Sequence, residues 1–519
     1  MAIRSIIKTN EYHDSVSLML AAGELSKSPG VQDAAVVMAT EANKALLNQA
    51  GLLTAEIAAA TPNDLVIVVR ADEAVAAPLL ARAEALLKAS TSQDSGGPAE
   101  SRPKSLHSAA RSAPQANVAV ISVAGRYAAD EAWKALHKGL HVLLFSDNVS
   151  LEDEIALKKY ACDHGLLLMG PGAGTAILNG VALGFANVVP QGPVGIVSAA
   201  GTGLQEVSTL LARKGIGITQ GIGTGGRDLK EEVGGMMMLA GLKALQEDPQ
   251  TQVIVLVSKP PSKAVAEVIM DEVASGSKPA VIGFMGGSPE DWRDVPNALP
   301  APTLELAALI AAGCAGAEMG DPIEYLASRT QTLKEKAALL RVGLQPGQKY
   351  LRGLFSGGTL CYEAQVIWAG MLPQPVLSNA PLKKANQMPD STRSQGHCTV
   401  DLGEEEFTVG RPHPMIDNTL RIRRLLQEAQ DPEVAVVIMD VVLGYGAHLD
   451  PAAELGPAIQ RAQKAAAEAG RKLPVVVSVT GTEQDPQVLS RQVQALEASG
   501  AVVCESNAMA AELTAWIVA

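Results

Sequence analysis

From residue 117 onward, short runs of aliphatic residues alternate with segments that have helical periodicity. The runs at 118–123, 142–145 and 166–169 have the length of strands, and a helical pattern separates each from the next. Continuous apolar runs of this kind are typical of parallel strands that are buried on both faces. The pattern predicts an α/β fold that contains a Rossmann-like domain over residues 115–191.

Two later segments of the chain repeat each other. The first copy runs from 195 to 206 and the second from 353 to 363. Each copy has a strand, a serine, small residues, a glycine and a threonine, and then a helix with a glutamate four residues after the threonine. The copies match again downstream, where each has a Leu-Gln-Glu sequence, an Asp-Pro pair and a further strand. We therefore predict two duplicated flavodoxin-like modules with parallel sheets at 192–315 and 345–519, joined by a connector at 316–344.

The first part of the chain has a different pattern. A buried-strand run at 64–70 follows a shorter strand and two helical segments, which predicts a small α/β unit at 1–89 with a regulatory or assembly role. Residues 90–114 are rich in Ser, Gly, Pro and Ala and can bury little apolar surface, so we expect a flexible linker there.

Composition and charge exclude several classes of protein. The net charge is −13 without a stripe of Lys and Arg, which argues against a nucleic-acid partner. No apolar run is long enough to cross a membrane, and the first residues lack the apolar core of a signal peptide. The five cysteines are scattered without a CxxC pair, which indicates a reducing compartment and no structural metal. We expect a soluble, cytoplasmic metabolic protein.

Both copies of the repeat place glycine and hydroxyl residues where a strand ends and a helix begins. A helix start has free backbone N–H groups and a partial positive charge, and glycine lets an anion approach them closely. The same residues are common in ordinary βα turns and at N-caps, so this pattern alone leaves a purely structural role open. The candidates for binding a phosphate or another anion are Ser198, Gly201 and Thr202 in the first copy, and Ser356, Gly357, Gly358 and Thr359 in the second.

Histidine and arginine add candidates after the strands of the modules. His413 lies between two prolines in a predicted loop, beside Arg411, whose guanidinium could hold a carboxylate or phosphate. Arg227 has the matching place in the first copy, and Lys259 follows the strand at 253–257. The alternative for His413 is a turn that packs its ring against a neighbouring domain, and exposed lysines after strands are common.

From about residue 117 the chain resembles the α subunit of succinyl-CoA synthetase and related acyl-CoA ligases. The matching stretches are Met169-Gly170-Pro171, the first copy of the repeat through Thr202, and Asp248-Pro249. The second module resembles the ligase domain of the β subunit, and 115–191 resembles the CoA-binding domain. The whole chain resembles the FdrA family, most specifically at 14–19, 145–149, 258–261 and 409–417.

The resemblance implies that the two Gly-Thr helices point at a phosphate group. The synthetases carry a phosphohistidine in a Gly-His-Ala-Gly loop, whereas this chain has Met285-Gly286-Gly287-Ser288-Pro289 there and no stretch typical of an ATP-grasp domain. The FdrA family is linked to oxamate carbamoyltransferase complexes in allantoin breakdown. The resemblance thus implies transfer of a carbamoyl group between carbamoyl phosphate and oxamate, with no cofactor required, Arg411 on the oxamate carboxylate and His413 as general base or acid.

Two alternatives remain open from the sequence. One is a subunit of an NDP-forming acyl-CoA synthetase, which would use CoA and a nucleotide brought by an ATP-grasp partner. The other is a non-catalytic scaffold or regulatory subunit. Each of these possibilities predicts further protein subunits and a homo- or hetero-oligomer.

Overall fold

The computed structural model describes residues 2–11, 15–26, 28–40, 43–44, 47–48, 50–92, 103, 105–408 and 411–519. These residues form two units. The first unit comprises Met1–Lys104 with Glu405–Pro412, and the second comprises Ser105–Glu404 with His413–Ala519. Much of the predicted linker, part of the second helical segment before residue 50, and positions 14, 409 and 410 of the FdrA-like stretches lie outside the described residues.

The first unit has a small antiparallel sheet. Strand β3 pairs on both sides, with β1 and with β2, and its central position explains why five consecutive residues from Leu65 are fully buried. The strands are β1 (Ala2–Lys8), β2 (Val31–Met38) and β3 (Leu65–Ala71), and the helices are Ser15–Ser26, Ala55–Ala59, Glu73–Ser92 and the short Glu405–Thr408.

The second unit begins with a helix in the segment where we expect a linker. Leu106–Ser112 is helical because Ser105 and Ser108 form a reciprocal capping box at its start, a local signal that overall composition does not reveal. A parallel three-stranded sheet follows, in the order β4-β5-β6. Its strands are β4 (Val118–Ile121), β5 (His141–Leu144) and β6 (Leu168–Met169), and its helices are Gly125–Leu136 and Leu151–Asp163.

The first module has a sheet of seven strands in the order β13-β12-β11-β9-β10-β7-β8. Five strands are parallel, whereas the hairpin of β7 and β8 joins the edge antiparallel, through Leu178 opposite Gln220. The strands are β7 (Thr175–Leu178), β8 (Val181–Gly184), β9 (Gln191–Ser198), β10 (Ile218–Gly223), β11 (Val253–Ser258), β12 (Ala280–Phe284) and β13 (Ala298–Pro300). The helices are Gly201–Arg213, Met236–Glu247, Lys263–Ser275 and Leu304–Cys314, with a 3-10 turn at Pro289–Asp291.

The second module has a fully parallel sheet of six strands in the order β15-β16-β14-β17-β18-β19. The helix Pro322–Arg341 precedes it, in the predicted connector. The strands are β14 (Tyr350–Phe355), β15 (Leu377–Ser378), β16 (Cys398–Asp401), β17 (Val434–Val442), β18 (Val475–Thr480) and β19 (Val502–Cys504). The helices are Gly358–Met371, Thr419–Glu428, Pro451–Glu468, Leu489–Ala498 and Asn507–Val518, with a 3-10 turn at Lys384–Asn386.

One apolar core is shared by the two modules. It contains Leu204 of the first repeated helix and Leu360 and Trp368 of the second, all fully buried. The indole of Trp368 also donates to Ala511 O at 2.9 Å, which satisfies its only polar atom inside the core. The modules therefore pack through their repeated helices, and this packing places the two helix starts close together. No helix in the described parts of the chain is both long and apolar enough to cross a membrane.

Candidate functional site

The two repeated helices begin side by side at the carboxyl ends of β9 and β14. We call them the Gly201 helix (Gly201–Arg213) and the Gly358 helix (Gly358–Met371). A Cβ placed on Gly357 would lie 3.0 Å from the Thr202 hydroxyl, and one placed on Gly203 would lie 3.0 Å from the Thr359 methyl group. Neither helix has a side-chain cap, so the first backbone N–H groups of both helices are left without a capping side chain.

The first turn is closed by its own serine. The Ser198 hydroxyl donates to Ala200 O at 2.7 Å and accepts from Ala200 N–H at 3.0 Å, and the side chain is buried. This hydroxyl therefore shapes the turn, which differs from the expected role as a donor to a ligand. Thr202 is half-buried and faces the second helix start.

The second turn already holds a carboxylate. Asp440, near the carboxyl end of β17, accepts hydrogen bonds from Ser356 N–H (2.7 Å), the Ser356 hydroxyl (3.0 Å) and Gly357 N–H (2.7 Å). A fourth comes from the buried Arg421 guanidinium at 3.2 Å. Burial lowers the pKa of Arg421, while Asp440 acts in the opposite direction. Asp440 thus takes the donors of Ser356 and Gly357 that we expected to bind substrate.

A second aspartate, Asp401, stands at the end of β16 beside the same helix start. A Cβ on Gly358 would lie 2.5 Å from Asp401 Oδ2, so only glycine fits there. Asp401 is buried, and its Oδ1 accepts Gly403 N–H at 2.9 Å. Burial and, next, the Glu404 carboxylate raise the pKa of Asp401 to about 7. An acid that titrates near neutral pH inside a site is suited to proton transfer.

His413 lies close to these groups. Its Nε2, Ser356 O and Asp401 Oδ1 all lie within 3.1 Å of the point where a Cβ on Gly403 would be. The Nδ1 accepts Met415 N–H at 3.2 Å, which leaves Nε2 as the protonated nitrogen of the neutral ring. Burial, and then Arg421, lower the pKa of His413 to about 4. The imidazole is therefore neutral at pH 7 and can donate a hydrogen bond from Nε2.

Lys259 stands at the edge of the site. Its exposed Nζ lies 5.2 Å from the centre of the Tyr362 ring, on the Gly358 helix, and its charge lowers the pKa of Asp401. Burial raises the pKa of the nearby Cys361 thiol, with Asp401 adding to the shift, so this cysteine is a protonated packing residue.

The two predicted arginines lie in different surroundings. Arg227 Nε pairs with Glu154 at 2.8 Å and its Nη2 donates to Val149 O at 2.8 Å. It therefore borders the buried network in which Lys158 bonds to Glu154 and Asp228, both at 2.8 Å. Arg411 is exposed and falls in the first unit, so its part in substrate binding stays a prediction.

The repeated glutamates have a structural role. Glu206, on the Gly201 helix, accepts Asn507 N–H at 2.9 Å, and Glu363, on the Gly358 helix, accepts Leu304 N–H at 2.6 Å. Each glutamate thus closes the start of a helix that belongs to the opposite module. Both are fully buried, and burial raises the pKa of both, that of Glu363 to about 8.

A cavity of about 540 Å³ lies at the far end of the Gly201 helix and is separate from the site. Arg213, which lines it, donates to the carbonyls of Val479 and Gly481 of the second module, and Arg329 pairs with the cavity residue Glu305. The polar groups of this cavity mainly bond the modules to each other. In the described parts of the chain, no group of three or more His, Cys, Asp or Glu is arranged to hold a metal ion.

Sequence reasoning did not single out Asp401 or Arg421. Asp401 carried a weak signal, since it is an acidic residue at the carboxyl end of a strand, and Asp440 lies near the carboxyl end of its own strand. Arg421 carried none, because it is one of several arginines in the helix Thr419–Glu428 and only the fold shows which of them turns toward Asp440.

Three family models match this chain. Residues 1–103 match "AllF, heavy metal-associated domain", residues 190–286 match "CoA binding domain", and residues 354–517 match "CoA-ligase". The CoA-binding match falls on the segment that we predicted as the first synthetase-like module, rather than on 115–191, for which we predicted a CoA-binding-like domain. Together with the observed parallel sheets, these matches confirm the predicted α/β fold with synthetase-like modules.

Known proteins resemble all or part of the chain. The "Uncharacterized protein YahF" of Escherichia coli K12 is 44% identical over 511 residues, which cover 98% of this chain and 97% of that protein. The succinate–CoA ligase [ADP-forming] α subunit of Staphylococcus epidermidis is 31% identical over 178 residues, which cover 33% of this chain and 57% of the subunit.

Two solved structures match this chain at low similarity. The dinucleotide-forming acetyl-coenzyme A synthetase 1 of Candidatus Korarchaeum cryptofilum has a TM-score of 0.29 and 16% identity, over 77% of this chain and 82% of that one. The ATP citrate lyase of Methanothrix soehngenii has a TM-score of 0.36 and 17% identity, over 41% of this chain and 40% of that one.

Proposed function

The chain belongs to the FdrA family of succinyl-CoA synthetase α-like proteins, and on this basis we propose that it is the acyl-handling subunit of an acid–thiol ligase. In this function an acyl phosphate lies between the starts of the Gly201 and Gly358 helices. CoA is the thiol that attacks the acyl carbon, and phosphate leaves.

The observation that carries this proposal is the contact between the two uncapped helix starts. Gly357 approaches Thr202 and Gly203 approaches Thr359, and both helix starts follow the carboxyl ends of strands, β9 and β14. Opposed helix starts stabilise the negative charge of a phosphoryl group and of a leaving phosphate. The neutral His413 supplies a further donor close to the second start.

The matches to CoA-ligase and CoA-binding domains, and to a succinate–CoA ligase subunit, support the ligase in preference to other acyl-phosphate chemistry. A nucleotide would be needed to form the acyl phosphate. We propose that a partner subunit supplies the nucleotide site.

The experiment uses the purified chain, alone and with the subunits encoded beside it. ATP, CoA and a carboxylic acid such as succinate are supplied, and thioester and phosphate are measured. We expect thioester formation with the complete assembly. Gly358→Ala should lower turnover about 100-fold, because the new Cβ would collide with Asp401 Oδ2 at the helix start.

The matched control is Gly370→Ala, on the same helix. A Cβ there meets nothing within 4 Å, so this variant should retain its activity. Equal activity of the two variants would contradict a role for the helix start.

A second candidate is carbamoyl transfer from carbamoyl phosphate to oxamate. The observation that favours it is the loop Met285–Pro289, which has no histidine to carry phosphate between a nucleotide site and the acyl group. Such a transfer needs neither nucleotide nor CoA. Oxalurate formed from carbamoyl phosphate and oxamate alone would favour the transferase, whereas thioester formation that requires ATP and CoA would favour the ligase.

A further inference from the structure

Two aspartates lie beside the Gly358 helix start, and their hydrogen bonding differs. The carboxyl group of Asp440 is saturated by Ser356, Gly357 and Arg421. The Asp401 carboxyl group accepts one hydrogen bond in the described chain, from Gly403 N–H at 2.9 Å. Asp440 is therefore fixed as part of the turn, while Asp401 keeps acceptor capacity that the fold does not use.

The backbone holds Asp401 firmly in place. Its N–H donates to Asn379 Oδ1 and its carbonyl accepts from Asn379 Nδ2, both at 2.9 Å. The side chain is only 2% exposed, and its Oδ2 points toward the Cα of Gly358. A carboxyl group is thus held rigidly at the point where the first N–H groups of the helix begin.

We propose that Asp401 is a catalytic residue that accepts the proton of the nucleophile when it attacks the acyl phosphate. This inference rests on the proposed function, and it holds for either nucleophile, a thiol or an amide. His413 is then a positioning residue, whose Nε2 lies around the same point as Asp401 Oδ1 and Ser356 O.

The atoms balance as follows for a thiol or amide nucleophile. The sulfur or nitrogen forms a bond to the acyl carbon, and its proton passes to the Asp401 carboxylate. The bond from the acyl carbon to the phosphate oxygen breaks, and inorganic phosphate leaves with that electron pair. Asp401 then returns the proton to solvent or to the leaving phosphate, so no oxidant or reductant is required.

The groups around Asp401 bring the pKa of its carboxyl group close to neutral pH. Burial and the Glu404 and Asp440 carboxylates raise its pKa, whereas Gly403 N–H and the Lys259 ammonium group lower it, and the result is about 7. The nearby His413 stays neutral above pH 5, because burial lowers its pKa to about 4. In the range from pH 5.5 to 8.5, Asp401 should therefore change charge while His413 does not.

The first test is the pH profile of turnover in the full assembly, with whichever substrates support activity. In the unmodified protein kcat should rise with pH through about 7 as Asp401 loses its proton. Asp401→Asn should lower kcat about 100-fold or more, with little change in KM, and should abolish the rise. The control Asp417→Asn makes the same charge change at a half-buried residue whose side chain accepts Thr419 N–H while its backbone N–H bonds to His413 O, which the substitution keeps, and it should leave the profile intact.

The second test does not depend on activity. Sulfate, which stays a dianion over this range, serves as the probe, and its Kd is measured by calorimetry from pH 5.5 to 8.5. An ionised Asp401 repels the anion, so Kd should rise at least about fivefold as the pH passes 7. In Asp401→Asn the Kd should stay constant, and in Asp417→Asn it should rise as in the unmodified protein.

The two tests separate the inference from the proposed function. If sulfate does not bind at any pH, the anion site between the helix starts is wrong and the proposed function fails with it. If sulfate binds with a pH-independent Kd, or if Asp401→Asn keeps the kcat profile, the anion site stands and the role of Asp401 is overturned.

Discussion

The Asp440 carboxylate accepts four hydrogen bonds from other residues of the protein, so it is a structural residue. Asp440→Asn would turn an acceptor into a donor opposite the N–H groups of the turn and would leave the buried Arg421 guanidinium without its carboxylate partner, with the Asp440 carbonyl still accepting from it. Breaking a buried ion pair in this way costs about 3–5 kcal/mol. We expect the free energy of unfolding, from urea denaturation, to fall by about that amount.

The surface pair of Asp390 and Arg393 provides the comparison, since both side chains are at least half exposed. Asp390→Asn should cost less than about 1 kcal/mol. An effect of Asp440→Asn as small as this would show that the turn does not depend on the carboxylate.

Glu363 makes stability depend on pH. Its pKa is raised to about 8 in the folded protein, mainly by burial, from an ordinary value of 4.5. The folded chain therefore keeps a proton that the unfolded chain has lost, and the contribution of this group to stability is full below pH 4.5 and disappears as pH rises through 8. Between these values the free energy of unfolding should fall by at most about 1.4 kcal/mol per pH unit.

The variant Glu363→Gln cannot ionise and should lack this component. Urea denaturation at several pH values would give the difference between the two proteins. A constant difference from pH 5 to 8 would mean that Glu363 is already ionised in the fold, with the hydrogen bonds from Leu304 N–H and the Asn507 side-chain amide outweighing burial.

At the scale of the helices, the short distance between the two helix starts depends on Gly203, because a larger residue would not fit there. A Cβ on Gly203 would lie 2.9 Å from Val257 and 3.0 Å from Thr359. Gly203→Ala should therefore push the helices apart, at a cost of about 1–3 kcal/mol, with a lower Tm and weaker sulfate binding.

The exposed Gly313 is the control, because a Cβ there meets nothing within 4 Å and the residue lies inside the helix Leu304–Cys314. Gly313→Ala should raise stability by about 0.5–1 kcal/mol. If both substitutions were stabilising, the close contact at Gly203 would not limit the packing of the two helices.

The sequence allowed these helices to be found but not their partners. The repeat predicted two strand–turn–helix units with glycine and threonine at each helix start. This was possible because such units are determined by residues that are close together in the sequence. The carboxylate in the second turn comes from Asp440, which is distant along the chain, and the Arg227 side chain is taken by Glu154 of an earlier helix. Contacts of this kind depend on the order of strands in the sheets, which periodicity does not determine.

At the scale of the whole molecule, the reciprocal glutamates predict an effect that crosses between modules. Glu206→Ala should speed amide hydrogen exchange in the helix Asn507–Val518 of the second module, because Asn507 N–H loses its acceptor. Glu363→Ala should do the same for Leu304–Cys314 of the first module. If hydrogen exchange increased only in the module that carries the substitution, the glutamates would not stabilise helix starts in the opposite module.

The same pair of glutamates has a consequence for how the two modules are produced and assembled. A single module, produced as a separate chain, would expose its glutamate to water and would leave one of its helix starts without an acceptor. Only the other module provides the missing donor and acceptor. Because the copies share one polypeptide, every molecule contains them in equal number, and the tether keeps each at a high effective concentration for the other. An excess of one module over the other therefore cannot accumulate at any level of expression.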